Sequence, residues 1–288
     1  NIPMDNKIDF SSVNIGDIIK IDDGKIRFSI ISKRYKYSIQ VKALDDGIIY
    51  PSKGINFPGI DLNMSSLTEK DVEDIKLGCN LEIDWFAHSF VRTEKDYKQF
   101  IKVVSSYSKN IPVIAKIETP QAIENINQLI DLYDGILIAR GDLGVELPIE
   151  QVPILQKMII KKCNKKGKPV ITATQMLDSM INSPSPTRAE VADIAGAVYD
   201  GTDAIMLSAE TAVGNYPLES IKTMSSISKN VEQEISKSGN FQINEPKFKK
   251  TNVLTSICHA AYNIASDINI PVIAVMTESG TTARMVSN

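Results

Sequence analysis

The 288-residue sequence predicts an α/β protein built on a parallel sheet, preceded by a small β segment, and three observations carry that expectation. Residues 14–58 read as strands joined by tight turns. From residue 60 five strand-like apolar runs alternate with helical stretches long enough to serve as crossovers. Each of those runs then hands over to polar residues at its C-terminal end.

In chain order, Ile18-Ile19-Lys20-Ile21 and Lys25 to Ile30 flank Asp22-Asp23-Gly24, a hairpin turn signal. A further strand, Tyr37 to Leu44, ends in Asp45-Asp46-Gly47. Lys53 to Gly59 has Gly and Pro spaced like a hinge or domain boundary. The segment is too short for a large core, which makes it a small β domain or part of one. Ser66-Leu67-Thr68-Glu69 has capping-box spacing and opens a helix. The five runs are Ile83–Phe90, Pro112–Ile117, Gly135–Ala139, Pro169–Ala173 and Ala204–Leu207. Pro184 to Glu190 begins another helix, with Thr187 as cap and Glu190 three residues on. Helices over Ile221–Ile235 and Val253–Asp267 flank a polar stretch, Ser236 to Lys250, and Pro271 to Met276 reads as a further strand.

A doubly wound sheet and a (β/α)8 TIM barrel fit this alternation equally. The strand exits decide between them: Ser89-Phe90-Val91-Arg92, Lys116-Ile117-Glu118, Arg140-Gly141-Asp142, Thr172 to Gln175 and Ser208 to Thr211. A barrel gathers such ends around one mouth, whereas an open sheet spreads them along a line. The barrel is expected, with five of its eight strands in these residues.

Composition bounds the chemistry. With 32 Lys and Arg against 35 Asp and Glu, the net charge of -3 gives no support for general nucleic-acid or anionic-membrane binding. No apolar run approaches the roughly 20 residues that cross a bilayer. Asn1 to Asp5 shows no basic region followed by an apolar stretch, so no leader is expected there. Cys79, Cys163 and Cys258 are far apart and fit reduced thiols. Only His88 and His259 are present, so a His-rich metal site is excluded and any metal would be hard and oxygen-bound.

Lys116 and Glu118, two apart on a strand, share one side, and Asp142 reaches the same mouth from the next exit. Two carboxylates with open positions suit Mg²⁺, and a lysine beside them suits a phosphate-bearing substrate. The same residue types fit a salt-bridge network that closes a barrel end. Gly141 before a helix start exposes backbone N–H groups to an anion, although Gly-Asp also makes ordinary turns. Thr174 and Ser208 offer hydroxyls or simple helix caps. Arg188 reads as a solvated side chain, and Met158, Met176, Met180 and Met206 read as packing residues.

Several strings resemble pyruvate kinase: Ile114 to Glu118, Ala139 to Glu146, Gly167 to Leu177, Pro186 to Glu190 and Asp200 to Ala212. The resemblance runs in register from about Gly16 to Asn288. It implies a (β/α)8 barrel with a mobile β lid inserted after the third strand and a C-terminal α/β regulatory domain. The expected division is 1–58 for the lid, 59–235 for barrel strands four to eight, and 236–288 for the start of the regulatory domain. The implied reaction is phosphoryl transfer from phosphoenolpyruvate to ADP, with Mg²⁺ and often K⁺. By motif, Glu118 and Asp142 would hold Mg²⁺, and Lys116 would stabilise the phosphoryl group in flight. The backbone at Gly141 and Asp142, with the Thr174 hydroxyl, would bind the substrate carboxylate, and Ser208 would join the proton path. Asp23 and Lys53 would meet the nucleotide phosphates. Thr277, Ser279, Gly280, Thr281 and Thr282 resemble a sugar-phosphate effector loop, but Glu278 puts a negative charge in it.

By the same resemblance the residues begin midway through the lid. Three barrel strands, the K⁺ ligands and a substrate-binding arginine would then lie upstream of residue 1. A homotetramer in the cytoplasm, or in a plastid-type organelle, is typical of the family. Ala209 stands where many relatives have Gly, and His88 is less usual. Two alternatives compete: a Mg²⁺-dependent lyase of the phosphoenolpyruvate/pyruvate barrel group, and a truncated product that binds without turning over.

Overall fold

A computed structural model describes residues 8–51, 53–60, 62, 65–107, 110–238, 253–268, 270–278 and 280–287. The chain divides into two compact units, residues 1–156 with 172–175 and residues 157–171 with 176–288.

The first unit opens with strands β1 (Ile18–Ile21) and β2 (Ile26–Tyr35), paired antiparallel. Between them Asp23 (φ 55°) and Gly24 (φ 84°) are left-handed, and Lys25 N–H donates to the Asp22 carbonyl at 3.1 Å. That is the type I′ turn whose twist matches paired strands, as the Asp-Gly pair predicts. Strands β3 (Ser38–Ala43) and β4 (Ile55–Asn56) complete the order β3-β2-β1-β4. The Lys53–Gly59 segment, expected as a hinge, therefore contributes a strand. One face of this sheet is held by a small core of Phe10, Val13, Ile19, Ile21, Ile26, Phe28, Ile30 and Phe57. Ile19 and Ile21 are buried in it, and the period of two turns Lys20 the other way.

Helix α1 (Glu69–Asn80) follows. Its capping box is Thr68 with Asp71, not the Ser66–Glu69 pair expected from the sequence. Leu67 is buried and anchors the residue just outside the helix, which moves the cap to Thr68. Strand β5 (Phe86–His88) is shorter than the Ile83–Phe90 run. Ile83 N–H closes the end of α1 on the Gly78 carbonyl, and Phe90 (φ 53°) leaves the extended region. Next come α2 (Glu94–Ser106), β6 (Val113–Ile117), α3 (Pro120–Glu124), α4 (Ile126–Leu132) and β7 (Gly135–Ala139). The three strands pair in parallel, with His88 opposite Ala115 and Ile117 opposite Ile138. Every residue of β7 is buried, as a parallel strand covered on both faces requires.

After α5 (Arg140–Glu146) and α6 (Val152–Lys166), β8 (Val170–Ala173) and β9 (Ala204–Met206) continue the sequence-ordered sheet β5-β6-β7-β8-β9. In the second unit α7 (Arg188–Tyr199) carries the expected Thr187–Glu190 box. Met176, Leu177, Met180, Ile194 and Ala197 form its core, so two of the predicted packing methionines are fully buried. Helices α8 (Ala209–Ala212), α9 (Pro217–Ser238), α10 (Val253–Asp267) and α11 (Thr281–Ser287) follow. Helix α9 begins before the expected Ile221 because Pro217 is tolerated in a first turn. The Pro271–Met276 run forms no strand among the described residues, since a strand needs a hydrogen-bonded neighbour. No helix of the described residues is long and apolar enough to cross a membrane.

His88 is a buried exception on β5. It is 2 % exposed, its Nδ1 lies 2.9 Å from the Tyr133 hydroxyl, and its ring meets Phe100 at 4.5 Å. Burial pushes its pKa down from 6.5 to about 4, against the opposing charges of Asp96 and Asp71. The unfolded chain therefore binds a proton that the folded chain refuses. The stability of the neutral form is complete above pH 6.5 and is lost as pH falls toward 4. At pH 5 the wild type should have lost about 2 kcal/mol more than His88→Gln, which keeps a hydrogen-bonding group there. Urea unfolding of both at pH 7.5 and pH 5 measures this. Equal losses would mean that His88 does not titrate on unfolding.

Candidate active site

The ends of β5, β6, β7 and β8 bring polar groups together in the first unit. Glu118, just past β6, is 1 % exposed, and its Oε1 lies 2.6 Å from Lys116 Nζ. Its Oε2 accepts the Phe90 N–H at 2.7 Å. Lys116 Nζ also donates to Ser89 Oγ at 3.1 Å. Burial raises the pKa of Glu118, and the Lys116 ammonium and the Phe90 amide oppose that rise. Asp142, in the first turn of α5, is likewise raised by burial; Lys116 opposes the rise and the Asp23 carboxylate adds to it. Asp23 thus acts on the site from the hairpin of the small sheet.

Two carboxylates held above their ordinary range by burial form a place where additional positive charge is favoured. Among the described residues no group of three or more His, Cys, Asp or Glu side chains could hold a metal. The donor set fits Mg²⁺, which takes one or two carboxylates and completes its octahedron with water and substrate oxygens.

Thr174, past β8, is left-handed at φ 72°, and Gln175 follows at φ 52°. The Thr174 hydroxyl donates to the Ala173 carbonyl at 2.6 Å and accepts the Gly141 N–H at 2.7 Å. One of the expected carboxylate-binding amides is therefore already held by the expected hydroxyl. Arg140 donates from Nη2 to the Thr174 carbonyl at 2.8 Å and from Nε to the Ala173 carbonyl at 3.3 Å. Sequence reasoning gave Arg140 no role, although it begins the same Arg-Gly-Asp string.

The small sheet also reaches α5. Lys20 Nζ donates to the Val145 carbonyl, and Asn56 Nδ2 to Glu146 Oε1 at 2.9 Å. Neither residue stood out in the sequence. Lys53 Nζ is paired with Asp22 Oδ1 at 2.9 Å, a carboxylate the sequence suggested only as part of the turn. Ser208 belongs to the second unit. There Glu210, 2 % exposed, accepts the Ser208 N–H at 2.8 Å and the Leu177 N–H at 3.1 Å, fixing both chain turns. Of the expected effector residues, Ser279 lies outside the described residues. Thr277 Oγ1 accepts the Gly280 N–H at 3.1 Å, Arg284 donates to Thr281 Oγ1 at 3.4 Å, and the Thr282 carbonyl receives Cys258 Sγ at 3.9 Å.

An antiparallel lid sheet, a parallel α/β sheet and a lysine–carboxylate cluster at the strand ends define a lidded barrel-type domain. The description "Pyruvate kinase, barrel domain" matches residues 1–221 and "Pyruvate kinase, alpha/beta domain" matches residues 255–288. The chain belongs to the pyruvate kinase family. It is 43% identical over 273 residues to pyruvate kinase 2 of a Synechocystis species, covering 94% of this chain and 45% of that protein. It is 43% identical over 279 residues to the pyruvate kinase of Clostridium acetobutylicum, covering 96% and 59%. The crystal structure of a pyruvate kinase from Cryptosporidium parvum superposes with a TM-score of 0.87 at 36% identity, over 96% of this chain and 58% of that one. The chain spans about half the length of the curated relatives it matches.

At Gly141 an added Cβ would meet Thr174 Oγ1 at 3.5 Å and Thr174 Cβ at 3.6 Å, ordinary contacts, and its backbone is not left-handed. Gly141→Ala should therefore leave the unfolding free energy unchanged or raise it by up to about 1 kcal/mol. Urea denaturation checks this, and a loss of stability would place a steric demand on Gly141 that these distances do not contain.

Proposed function

We propose that this chain carries the catalytic machinery of a pyruvate kinase, which transfers the phosphoryl group of phosphoenolpyruvate to ADP and yields pyruvate and ATP. One observation carries the reading: Lys116 beside the buried Glu118, with Asp142 raised by the same burial. A phosphoryl group in transfer spreads charge over its oxygens and needs fixed positive charge, which the Lys116 ammonium supplies. Glu118 holds that ammonium in place. With Asp142 it would also hold Mg²⁺, which when bound neutralises the charge of substrate oxygens.

The substrate carboxylate would be received at Gly141, Asp142 and Thr174, where it takes over part of the existing Thr174–Gly141 contact. Asp23 and Lys53 on the lid would face the nucleotide phosphates, and Lys53 would exchange its partner Asp22 for them. Ser208 would relay a proton toward the enolate that becomes pyruvate. The Mg²⁺-dependent lyase alternative has no use for an ammonium at the carboxylates or for a lid hairpin. K⁺ dependence and tetramer formation are proposed from the family alone, with no K⁺ ligand assigned among these residues. The residue ranges 1–58, 59–235 and 236–288 are the proposed lid, barrel and regulatory segments. Cytoplasmic location is proposed on the three buried free thiols, which suit a reducing compartment.

Pyruvate release from phosphoenolpyruvate and ADP in Mg²⁺, with and without K⁺, tests the reading directly. Lys116→Met should lower kcat by at least about 10³-fold. It should remain folded by circular dichroism while losing about 3 kcal/mol, because Glu118 loses its buried partner. Unchanged turnover in Lys116→Met would remove the assignment of the site.

A further inference from the structure

Thr174 and Gln175 are consecutive non-glycine residues in the left-handed region, at φ 72° and 52°. Each is disfavoured there by its own Cβ, so the turn persists only where its surroundings hold it. The hold is visible. Arg140 spans two carbonyls of the turn, Thr174 O at 2.8 Å and Ala173 O at 3.3 Å. Its Nη1 lies 3.4 Å from Oε1 of Gln156, a side chain only 6 % exposed. The planar fork reaches these three oxygens from three different nitrogens, whereas an ammonium would have to reach all of them from one.

The Ala173 carbonyl is shared. It accepts the Thr174 hydroxyl at 2.6 Å as well as the Arg140 Nε–H. If the hydroxyl turned toward a ligand, an Ala173 oxygen with no second donor would be left unpaired at a part-buried site. Leaving such a group unmade is the costly side of hydrogen bonding. With Arg140 in place the carbonyl keeps a partner, and the hydroxyl is released at little cost. The same turn geometry keeps Thr174 Oγ1 2.7 Å from the Gly141 amide.

We infer that Arg140 is a positioning residue for the substrate carboxylate: its guanidinium holds the left-handed Thr174–Gln175 turn and keeps the Ala173 carbonyl paired when the Thr174 hydroxyl turns to the ligand. This rests on the pyruvate kinase reading of the site for the identity of the ligand, and on the turn geometry alone for the clamp.

The test uses the protein with Arg140→Met, Arg140→Lys and the double variant Arg140→Met/Gln175→Gly. Arg140→Met should raise KM for phosphoenolpyruvate about tenfold or more while KM for ADP stays within about twofold. Arg140→Lys should fall between wild type and Arg140→Met. Glycine at 175 removes part of the conformational cost that Arg140 opposes, so the double variant should recover about threefold or more. A general loss of folding would show no such recovery. An unchanged KM for phosphoenolpyruvate, an equal rise for both substrates, or no recovery by Gln175→Gly overturns the inference.

Hydrogen exchange of the peptide covering residues 139–146 judges the clamp without turnover. Arg140→Met should speed exchange there about tenfold, with the β6 peptide unaffected and the double variant restored. Exchange unchanged at 139–146, or raised equally in β6, overturns the clamp. A wild type that makes no pyruvate yet shows this exchange pattern would remove the proposed function and retain the clamp.

Discussion

A carboxylate shut away from water at the end of β6 constrains everything around it. Glu118 cannot keep its charge at that burial without a cation and a hydrogen-bond donor. Lys116, two residues earlier on the same side of the strand, is the cation, and the Phe90 amide is the donor. That amide faces Glu118 because Phe90 turns into the left-handed region directly after β5. The parallel register of β5 and β6 then brings Ser89 to the Lys116 ammonium. One buried charge thus fixes a lysine rotamer, a chain reversal and a neighbouring hydroxyl. The result is a preorganised positive charge beside carboxylates that favour a further cation.

Helix α5 joins this cluster to the lid sheet. Its seven residues span about 10 Å at the usual rise. The first turn carries Gly141 and Asp142, and the last two residues receive Lys20 and Asn56. A lysine on the terminal carbonyls of a helix is favoured by the helix dipole as well as by the hydrogen bond. Lys20 and Asn56 are register partners on adjacent strands, so the alternation that buries Ile19 and Ile21 presents both toward the helix. The Asp23 carboxylate on the same hairpin bears on Asp142.

The sequence made the architecture legible wherever periodicity was strong. β1, β7 and α10 match their expected bounds, since alternation, a fully apolar run and a helical stripe each admit one reading. It misplaced features settled by tertiary contact. The cap of α1 moved to Thr68 because Leu67 is buried, and β5 shortened because Phe90 turns toward Glu118. Of the site, Lys116, Glu118, Gly141, Asp142 and Thr174 were readable as strand-exit residues within recognisable strings. Lys20, Asn56, Gln156 and the role of Arg140 were not. Each acts on a residue distant in sequence, from 16 positions away for Gln156 and Arg140 to 125 for Lys20 and Val145, and carries no local pattern.

The same distinction explains where the strain lies. Asp23 and Gly24 are left-handed because the type I′ turn requires it at both central positions, and aspartate and glycine tolerate it. Phe90, Thr174 and Gln175 have no such local reason. A β-branched threonine in that region is costly, and a half-exposed phenylalanine gains little there. What offsets the cost is polar and comes from the site itself: Glu118 on the Phe90 amide, and Arg140 on the Thr174 carbonyl. Polar side chains of the candidate site therefore also hold its strained turns. A substitution at Glu118 or Arg140 releases a turn as well as removing a charge. Its effect on a ligand should then exceed that of the lost contact, because the partner residues move with it.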